Sequence, residues 1–128
     1  MKVLVVEPLK ECYTKEINGL EEMQALVGGY IQAVYPFEEL VAVVCNEEGK
    51  NLGLPFNRPL LDEHGLPYDI ICGTFFVAGL GAEDFVSLTD EQAQRYKAMY
   101  DNVMVFAAVK ERPPRNAAEA RKKAEPER

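Results

Sequence analysis

Short runs of β-branched and aliphatic residues, separated by turn-forming residues, make up much of the chain. Residues 2–7 form one such run, and residues 12–17 alternate between polar and apolar positions, so together they predict a β-hairpin. Residues 30–37 and 41–45 predict two further strands for the same reason. The pattern therefore indicates a sheet built largely from neighbouring antiparallel strands.

The middle of the chain divides into a loop-like part and a strongly apolar part. Residues 52–68 contain three prolines, which interrupt regular hydrogen bonding, so we expect an irregular loop there. Residues 69–80 are the most apolar stretch and predict a central strand. Gly73 and Thr74 fall inside this stretch, where a glycine is typical of a β-bulge.

Two segments have the apolar spacing and end signals of helices. Asn18 followed by Glu21 suits an N-terminal capping box, and Gly28 suits the left-handed position that ends a helix. Thr89 followed by Gln92 predicts a second capping box. The apolar stripes at helical spacing are Leu20, Met23, Leu26 and Val27 in the first helix and Ala93, Tyr96, Met99, Tyr100 and Val103 in the second.

The element order predicts the fold class and the domain organisation. The order is β-β-α-β-β-(loop)-β-α, which predicts an α+β fold with a mostly antiparallel sheet and two helices packed on one face. We expect a single domain over residues 1–110. Residues 111–128 begin beyond the expected core and form a charged C-terminal tail, with helix-forming residues at 116–124. This tail is a candidate for contacts between two copies of the chain.

The charge is strongly negative and unevenly distributed. The net charge is −7, with 8 Lys and Arg against 17 Asp and Glu in residues 1–110, and 6 against 4 in residues 111–128. An acidic body repels phosphate backbones, so we expect no general nucleic-acid binding. No stretch reaches the roughly 20 apolar residues that span a bilayer, so we expect no membrane association. Three widely spaced cysteines are typical of reduced thiols in a cytoplasm.

Polar groups concentrate between Asn46 and Arg58, and we take this segment as the candidate site. The candidate ligand-binding residues are Asn46, Glu48, Lys50, Phe56, Asn57, Arg58, Thr74 and Tyr35. Lys50 and Arg58 would hold phosphates, the two asparagines would contact polar edges, and an aromatic ring would stack on a base. The alternative is a solvated turn in which Arg58 pairs with a nearby acid such as Asp62 or Asp69.

The sequence contains no recognisable catalytic motif. His64 is the single histidine and lies in a turn-like segment, so we expect it to be exposed. No glycine-rich phosphate loop is present, and the cysteines lack the paired spacing of a zinc site. We therefore expect no metal and no cofactor. An enzyme that uses the scattered carboxylates of Glu7, Glu47, Glu48 and Asp69 remains an alternative.

Several segments occur together in an order that resembles a known family. They are Val27-Gly28-Gly29-Tyr30-Ile31, Cys45-Asn46-Glu47-Glu48-Gly49-Lys50, Leu54-Pro55-Phe56-Asn57-Arg58, Asp69-Ile70-Ile71-Cys72-Gly73-Thr74-Phe75-Phe76 and Leu88-Thr89-Asp90-Glu91-Gln92. The sequence from Met1 to Tyr100 resembles the domain of unknown function 3846 family. The resemblance implies a protein of a bacteriophage, plasmid or other mobile element. It supplies no activity and no functional residues.

Two hypotheses about function follow, besides the enzyme. The first is a non-catalytic accessory protein that captures a small anionic ligand, such as a nucleotide or cyclic nucleotide used as a host-defence signal. It would act in the host cytoplasm as a counter-defence sponge. The second is an acidic protein-interaction module or DNA mimic that inhibits a host factor, which the negative body favours.

Overall fold

The structure is a computed structural model that describes residues 1–102. Its strands are β1 (Lys2–Val6), β2 (Tyr13–Glu16), β3 (Ile31–Val34), β4 (Val41–Asn46), β5 (Phe56–Leu61), β6 (Pro67–Cys72), β7 (Phe75–Leu80) and β8 (Phe85–Val86). Its helices are α1 (Gly19–Val27) and α2 (Asp90–Tyr100). The predictions for Val103 and for the tail, including its helix and its contacts with a second copy, lie outside the described residues.

An antiparallel sheet of six strands forms the centre of the fold. The strand order is β2-β1-β7-β4-β3, and β8 pairs with the end of β7. The predicted hairpin is confirmed, because β1 and β2 pair from Lys2 opposite Glu16 to Val5 opposite Tyr13. The second half of the central strand predicted over residues 69–80 is β7, which pairs with both β1 and β4, whereas residues 69–72 belong to β6. The α+β class with a mostly antiparallel sheet is confirmed.

The two helices cover opposite faces of this sheet. Met23 and Val27 of α1 pack in one apolar cluster with Val3 and Val5 of β1. The intervening residues of β1 point the other way and pack in the cluster that contains the buried face of α2. The prediction that both helices lie on one face is therefore wrong. The sequence does not show the alternation along β1, because residues on both of its faces are buried and every position from Val3 to Val6 is apolar.

Residues 52–68 do not form a continuous loop, in contrast to the prediction. β5 and β6 form a separate two-stranded antiparallel sheet, and its register is irregular between Phe56 and Pro59. A proline fits at such an irregularity because the ladder hydrogen bond is already lost there. The predicted bulge at Gly73 is instead the corner between β6 and β7, where the chain leaves the small sheet for the large one. Gly73 has φ +86°, a conformation that favours glycine.

The predicted end signals of the helices are largely confirmed. Thr89 and Gln92 form a reciprocal capping box at the start of α2. Gly28 ends α1 in the left-handed conformation, with φ +79°. Asn18 precedes α1 but makes no side-chain capping bond, because its amide oxygen accepts a hydrogen bond from the N-terminal ammonium of Met1 instead. Leu20, which was expected in the buried stripe, is 53% exposed.

Candidate functional site

Asn57 and Arg58, the centre of the predicted site, are completely buried in β5. The amide nitrogen of Asn57 donates to the carbonyl oxygens of Val6 and Gly73, at 2.8 and 2.9 Å. Its amide oxygen accepts from the guanidinium of Arg58 at 2.9 Å. These bonds link β5 to β1 and to the corner before β7. Asn57 therefore holds the small sheet against the large one.

The guanidinium of Arg58 binds main-chain oxygens where three segments meet. Its Nε donates to the carbonyl of Tyr100 at 2.9 Å, and another nitrogen donates to the carbonyl of Lys10 at 2.8 Å. The carbonyl of Tyr100 lies at the C-terminal end of α2, where partial negative charge favours a cation. Burial lowers the pKa of Arg58, although an arginine remains charged. This geometry is that of a structural arginine.

A dense group of polar contacts surrounds the guanidinium. The backbone N–H of Cys12 donates to the carboxylate of Asp101, and Lys97 donates both to that carboxylate and to the carbonyl of Cys12. A ligand could reach Arg58 or Asn57 only by disrupting this packing. Both side chains therefore stabilise the fold and are not available to a ligand. The two acids that were alternative partners of Arg58 make other contacts: Asp69 pairs with Lys50, and Asp62 accepts from the backbone N–H groups of His64 and Leu66.

Asn46 and Lys50 lie beside a polar cleft of about 310 Å³ between the two sheets. Asn46 is 5% exposed, donates to the carbonyl of Val27 and accepts from the backbone N–H of Glu48. Glu48 in turn accepts a hydrogen bond from Asn51. Lys50 is half-exposed and pairs with Asp69. The contacts of Asn46 and Glu48 stabilise the turn after β4. Lys50, which was expected to bind an anion, is already paired with a carboxylate.

Two of the four scattered carboxylates, those of Glu47 and Asp69, line this cleft. Cys45 lines it as well, but burial raises the pKa of its thiol to about 11, so the thiol is protonated at neutral pH. Within residues 1–102, no three His, Cys, Asp or Glu side chains converge as metal ligands would. The histidine is exposed as predicted, with His64 74% accessible. The Cys45 thiol is therefore not an activated nucleophile.

The remaining predicted residues do not converge on the cleft. Phe56 is half-buried and packs against Ile70 and Cys72. Thr74 is half-buried at the corner between the two sheets. Tyr35 lies elsewhere, after β3, and is 61% exposed. The predicted ligand-binding residues therefore do not lie together at one site.

Tyr35 lies at the rim of a larger groove, of about 700 Å³, which we call the aromatic groove. One wall is the connection from β3 to β4, the second is the tip of the β5–β6 hairpin, and the floor is α2. The residues that line it are Tyr35, Pro36, Phe37, Glu38, Glu39, Leu61, Asp62, Glu63, Tyr68, Arg95, Tyr96 and Met99. Its volume falls within the range typical of ligand sites.

The floor of the aromatic groove is a fixed network of rings and charges. The rings of Phe37 and Tyr96 lie 4.7 Å apart, centroid to centroid. Arg95 pairs with Glu39 at 3.0 Å, and its guanidinium lies over the ring of Tyr96, 5.3 Å from the centroid. The hydroxyl of Tyr96 also donates to Glu39. The hydrogen bonds from Arg95 and Tyr96 lower the pKa of the Glu39 carboxyl, so it is ionised at neutral pH.

The rim of the groove combines exposed aromatic rings with carboxylates. Tyr35 and Tyr68 are 61% and 60% exposed. Glu38, Asp62 and Glu63 add negative charge, and Arg95 is the single cation among the described residues that line the groove. The sequence analysis did not predict that Tyr35 and Tyr68 line one groove, because it placed Tyr68 at the end of an irregular loop. Recognising the β5–β6 hairpin would have brought Tyr68 to the surface, since strand residues alternate between faces.

Comparison with known proteins identifies the family. The family model described as Domain of unknown function (DUF3846) matches residues 1–101. The chain belongs to this family. No curated protein and no solved structure matches it. In residues 1–102, neither helix is long and apolar enough to cross a membrane. The DUF3846 match covers both the buried Arg58 and the aromatic groove.

Proposed function

We propose that this DUF3846 protein is a non-catalytic binding protein that holds a segment of a partner protein in the aromatic groove. The observation that carries the proposal is the pair of exposed tyrosines, Tyr35 and Tyr68, at the rim of one groove. Tyrosine is enriched among the residues that dominate binding energy in protein interfaces. Leaving two such rings in water at one place is typical of an interaction surface.

The acidic body supports a protein partner over an anionic ligand. Within residues 1–102, the cations that were expected to hold phosphate are engaged in the fold, because Arg58 binds main-chain oxygens and Lys50 pairs with Asp69. Among the described residues that line the aromatic groove, the charged ones are mainly carboxylates. We therefore favour the interaction module over a nucleotide sponge. We also propose a wider role for the protein, as an accessory protein of a phage or mobile element. In that role it acts on a host factor in the cytoplasm.

Site-specific photocrosslinking in the bacterial host tests the proposal. A photoreactive amino acid is placed at position 35 or 68, and the matched control is position 30, because Tyr30 is 74% exposed but does not line the groove. We expect positions 35 and 68 to crosslink to the same protein and position 30 to give no such product. No product at 35 and 68, or an equal product at all three positions, contradicts the proposal.

A further inference from the structure

We propose that the aromatic groove recognises a guanidinium group, so that the partner segment contributes an arginine side chain to it. This inference rests on the proposed function and specifies its chemistry. Among residues 1–102, five charged residues line the groove, and four of them are carboxylates: Glu38, Glu39, Asp62 and Glu63. Glu39 pairs with Arg95, and Asp62 accepts hydrogen bonds from the backbone N–H groups of His64 and Leu66, but the charged residues of the described lining still sum to a net negative charge. Such a surface attracts a cation and repels a phosphate.

The chain's own Arg95 shows how the groove accommodates a guanidinium. It lies over the ring of Tyr96 at 5.3 Å and binds the carboxylate of Glu39 at 3.0 Å, with half of its side chain exposed. Ring face and carboxylate together are the two contacts that a guanidinium makes most favourably. Tyr35, Tyr68 and the carboxylates of Asp62 and Glu63 line the same groove, so aromatic rings and carboxylates occur there a second time.

The same geometry favours arginine over lysine. A guanidinium is flat and weakly hydrated, so it stacks on an aromatic face and still donates sideways to carboxylates. An ammonium group is compact and strongly hydrated, and it loses more hydration on entering between rings. The groove is lined by exposed tyrosines from two different segments, Tyr35 between β3 and β4 and Tyr68 in β6.

An apolar hollow continues from the groove and favours a peptide segment over free arginine. It measures about 30 Å³, which suits a methyl-sized group, and Pro59, Leu60 and Tyr100 complete its lining. It shares Pro36, Phe37, Leu61 and Met99 with the groove. An alanine or valine next to the arginine would fill it. We therefore infer a segment in which a small apolar residue accompanies the arginine.

Peptide titrations against the full chain, followed by NMR signals of the tyrosine rings, test this inference. The probes are an alanine-flanked arginine peptide, the same peptide with citrulline, which is neutral and nearly the same shape, and the same peptide with lysine. We expect shifts at Tyr35 and Tyr68 with the arginine peptide and at least about 10-fold weaker binding of citrulline, from the loss of ion pairing and cation–π attraction. Lysine should bind with intermediate affinity, and added salt should weaken the arginine peptide.

Matched variants test whether the tyrosine rings and the carboxylates of the groove contribute to peptide binding. Tyr35→Leu and Tyr68→Leu keep apolar area but remove the ring, and Glu63→Gln removes one exposed charge; each should weaken the arginine peptide several-fold. The controls are Tyr30→Leu and Glu83→Gln, which change exposed residues outside the groove and should leave binding unchanged. Equal effects in both sets overturn the inference.

The peptide titrations and the crosslinking can fail independently, so each tests its own claim. Equal binding of the arginine and citrulline peptides at Tyr35 and Tyr68 overturns the guanidinium inference but leaves a peptide groove in place. No shift with any peptide overturns the inference, and the crosslinking at positions 35, 68 and 30 then decides the proposed function separately. The tyrosine signals could instead shift as the protein concentration rises, with no peptide present. This result would assign the groove to the basic residues 111–128 of a second copy and would overturn the inference that a partner protein supplies an arginine.

Discussion

Arg58 and Arg95 place the same chemical group in opposite environments. Arg58 is fully buried and donates to main-chain carbonyls of α2 and of the β1–β2 connection. Arg95 is half-exposed and pairs with a carboxylate at the floor of a groove. The first connects secondary-structure elements, and the second lies where an incoming molecule can reach it. An arginine in a polar segment is therefore not evidence of a ligand site until its hydrogen-bond partners are known.

The largest effect that separates the two arginines should be on stability. Arg58→Met leaves the carbonyl of Tyr100 and the amide oxygen of Asn57 without their donor, so we expect a loss of about 3–5 kcal/mol in the free energy of unfolding. Arg95→Met is the matched control and should lose less than about 1 kcal/mol, because its ion pair is at the surface. Urea denaturation measures both. Equal losses in the two variants would remove the distinction.

Asn57 should show the next largest effect. Asn57→Ala removes the donor to the carbonyls of Val6 and Gly73 and leaves a small cavity, so we expect a loss of about 2–3 kcal/mol. Asn51→Ala, which removes an exposed contact with Glu48, should stay within about 0.5 kcal/mol. A double mutant that combines Asn57→Ala with Arg58→Met should lose less than the sum, because the two side chains share a hydrogen bond. Strict additivity would contradict the proposed network.

Thiol labelling compares how accessible the two regions are. Burial and the neighbouring Asp101 raise the pKa of Cys12 to about 12, despite the opposing effect of Arg58, so at pH 8 native Cys12 should resist maleimide. A Tyr68→Cys variant should label rapidly at the groove rim, since that position is 60% exposed. Rapid labelling of all thiols in the native chain would show that the Arg58 region is open to solvent.

The same thiol makes stability depend on alkaline pH. The folded-state pKa of Cys12 lies above its ordinary value of 9.0, so its contribution is complete below pH 9. As the pH rises from about 9 towards 12, the unfolded thiol ionises while the folded thiol cannot, and the free energy of unfolding should fall. Cys12→Ala should reduce this fall in urea titrations at several pH values. An unchanged alkaline slope in that variant contradicts the assignment.

Substitutions at the rim of the aromatic groove should have the smallest effect on stability. Tyr35→Ala and Tyr68→Ala remove rings that are mostly exposed, so each should change the free energy of unfolding by less than about 0.5 kcal/mol. The same variants should abolish the crosslinked product at the neighbouring groove position. A large loss of stability would mean that these rings are part of the core and not of an interaction surface.

Local signals predicted much of the fold because they depend on neighbours in sequence. The β1–β2 hairpin, the capping box at Thr89 and the glycine end of α1 at Gly28 follow from spacing and residue type, and each is confirmed. The side of the sheet on which each helix packs was not predictable. Every position of β1 from Val3 to Val6 is buried, so the sequence carries no contrast between its two faces.

The candidate site was harder to predict because it depends on distant contacts. Nothing near Asn57 and Arg58 in sequence indicates that the carbonyls of Val6, Lys10 and Tyr100 would surround them. Tyr35 was identified, because it flanks a loop. Tyr68 was not predicted as a site residue, because the β5–β6 hairpin that contains it was not recognised. The proline and the irregular register of β5 are not typical of a strand.

The most direct test of the account is the exchange of the Nε hydrogens of the two arginines with solvent, observed in one NMR spectrum of the full chain. The Nε of Arg58 donates to the carbonyl of Tyr100 at 2.9 Å in the interior, and a nuclear Overhauser contact to Tyr100 assigns its signal. We predict that the Arg58 hydrogen exchanges orders of magnitude more slowly than that of Arg95, since it requires the fold to open. Equally fast exchange at both arginines would place Arg58 in contact with solvent and contradict the account.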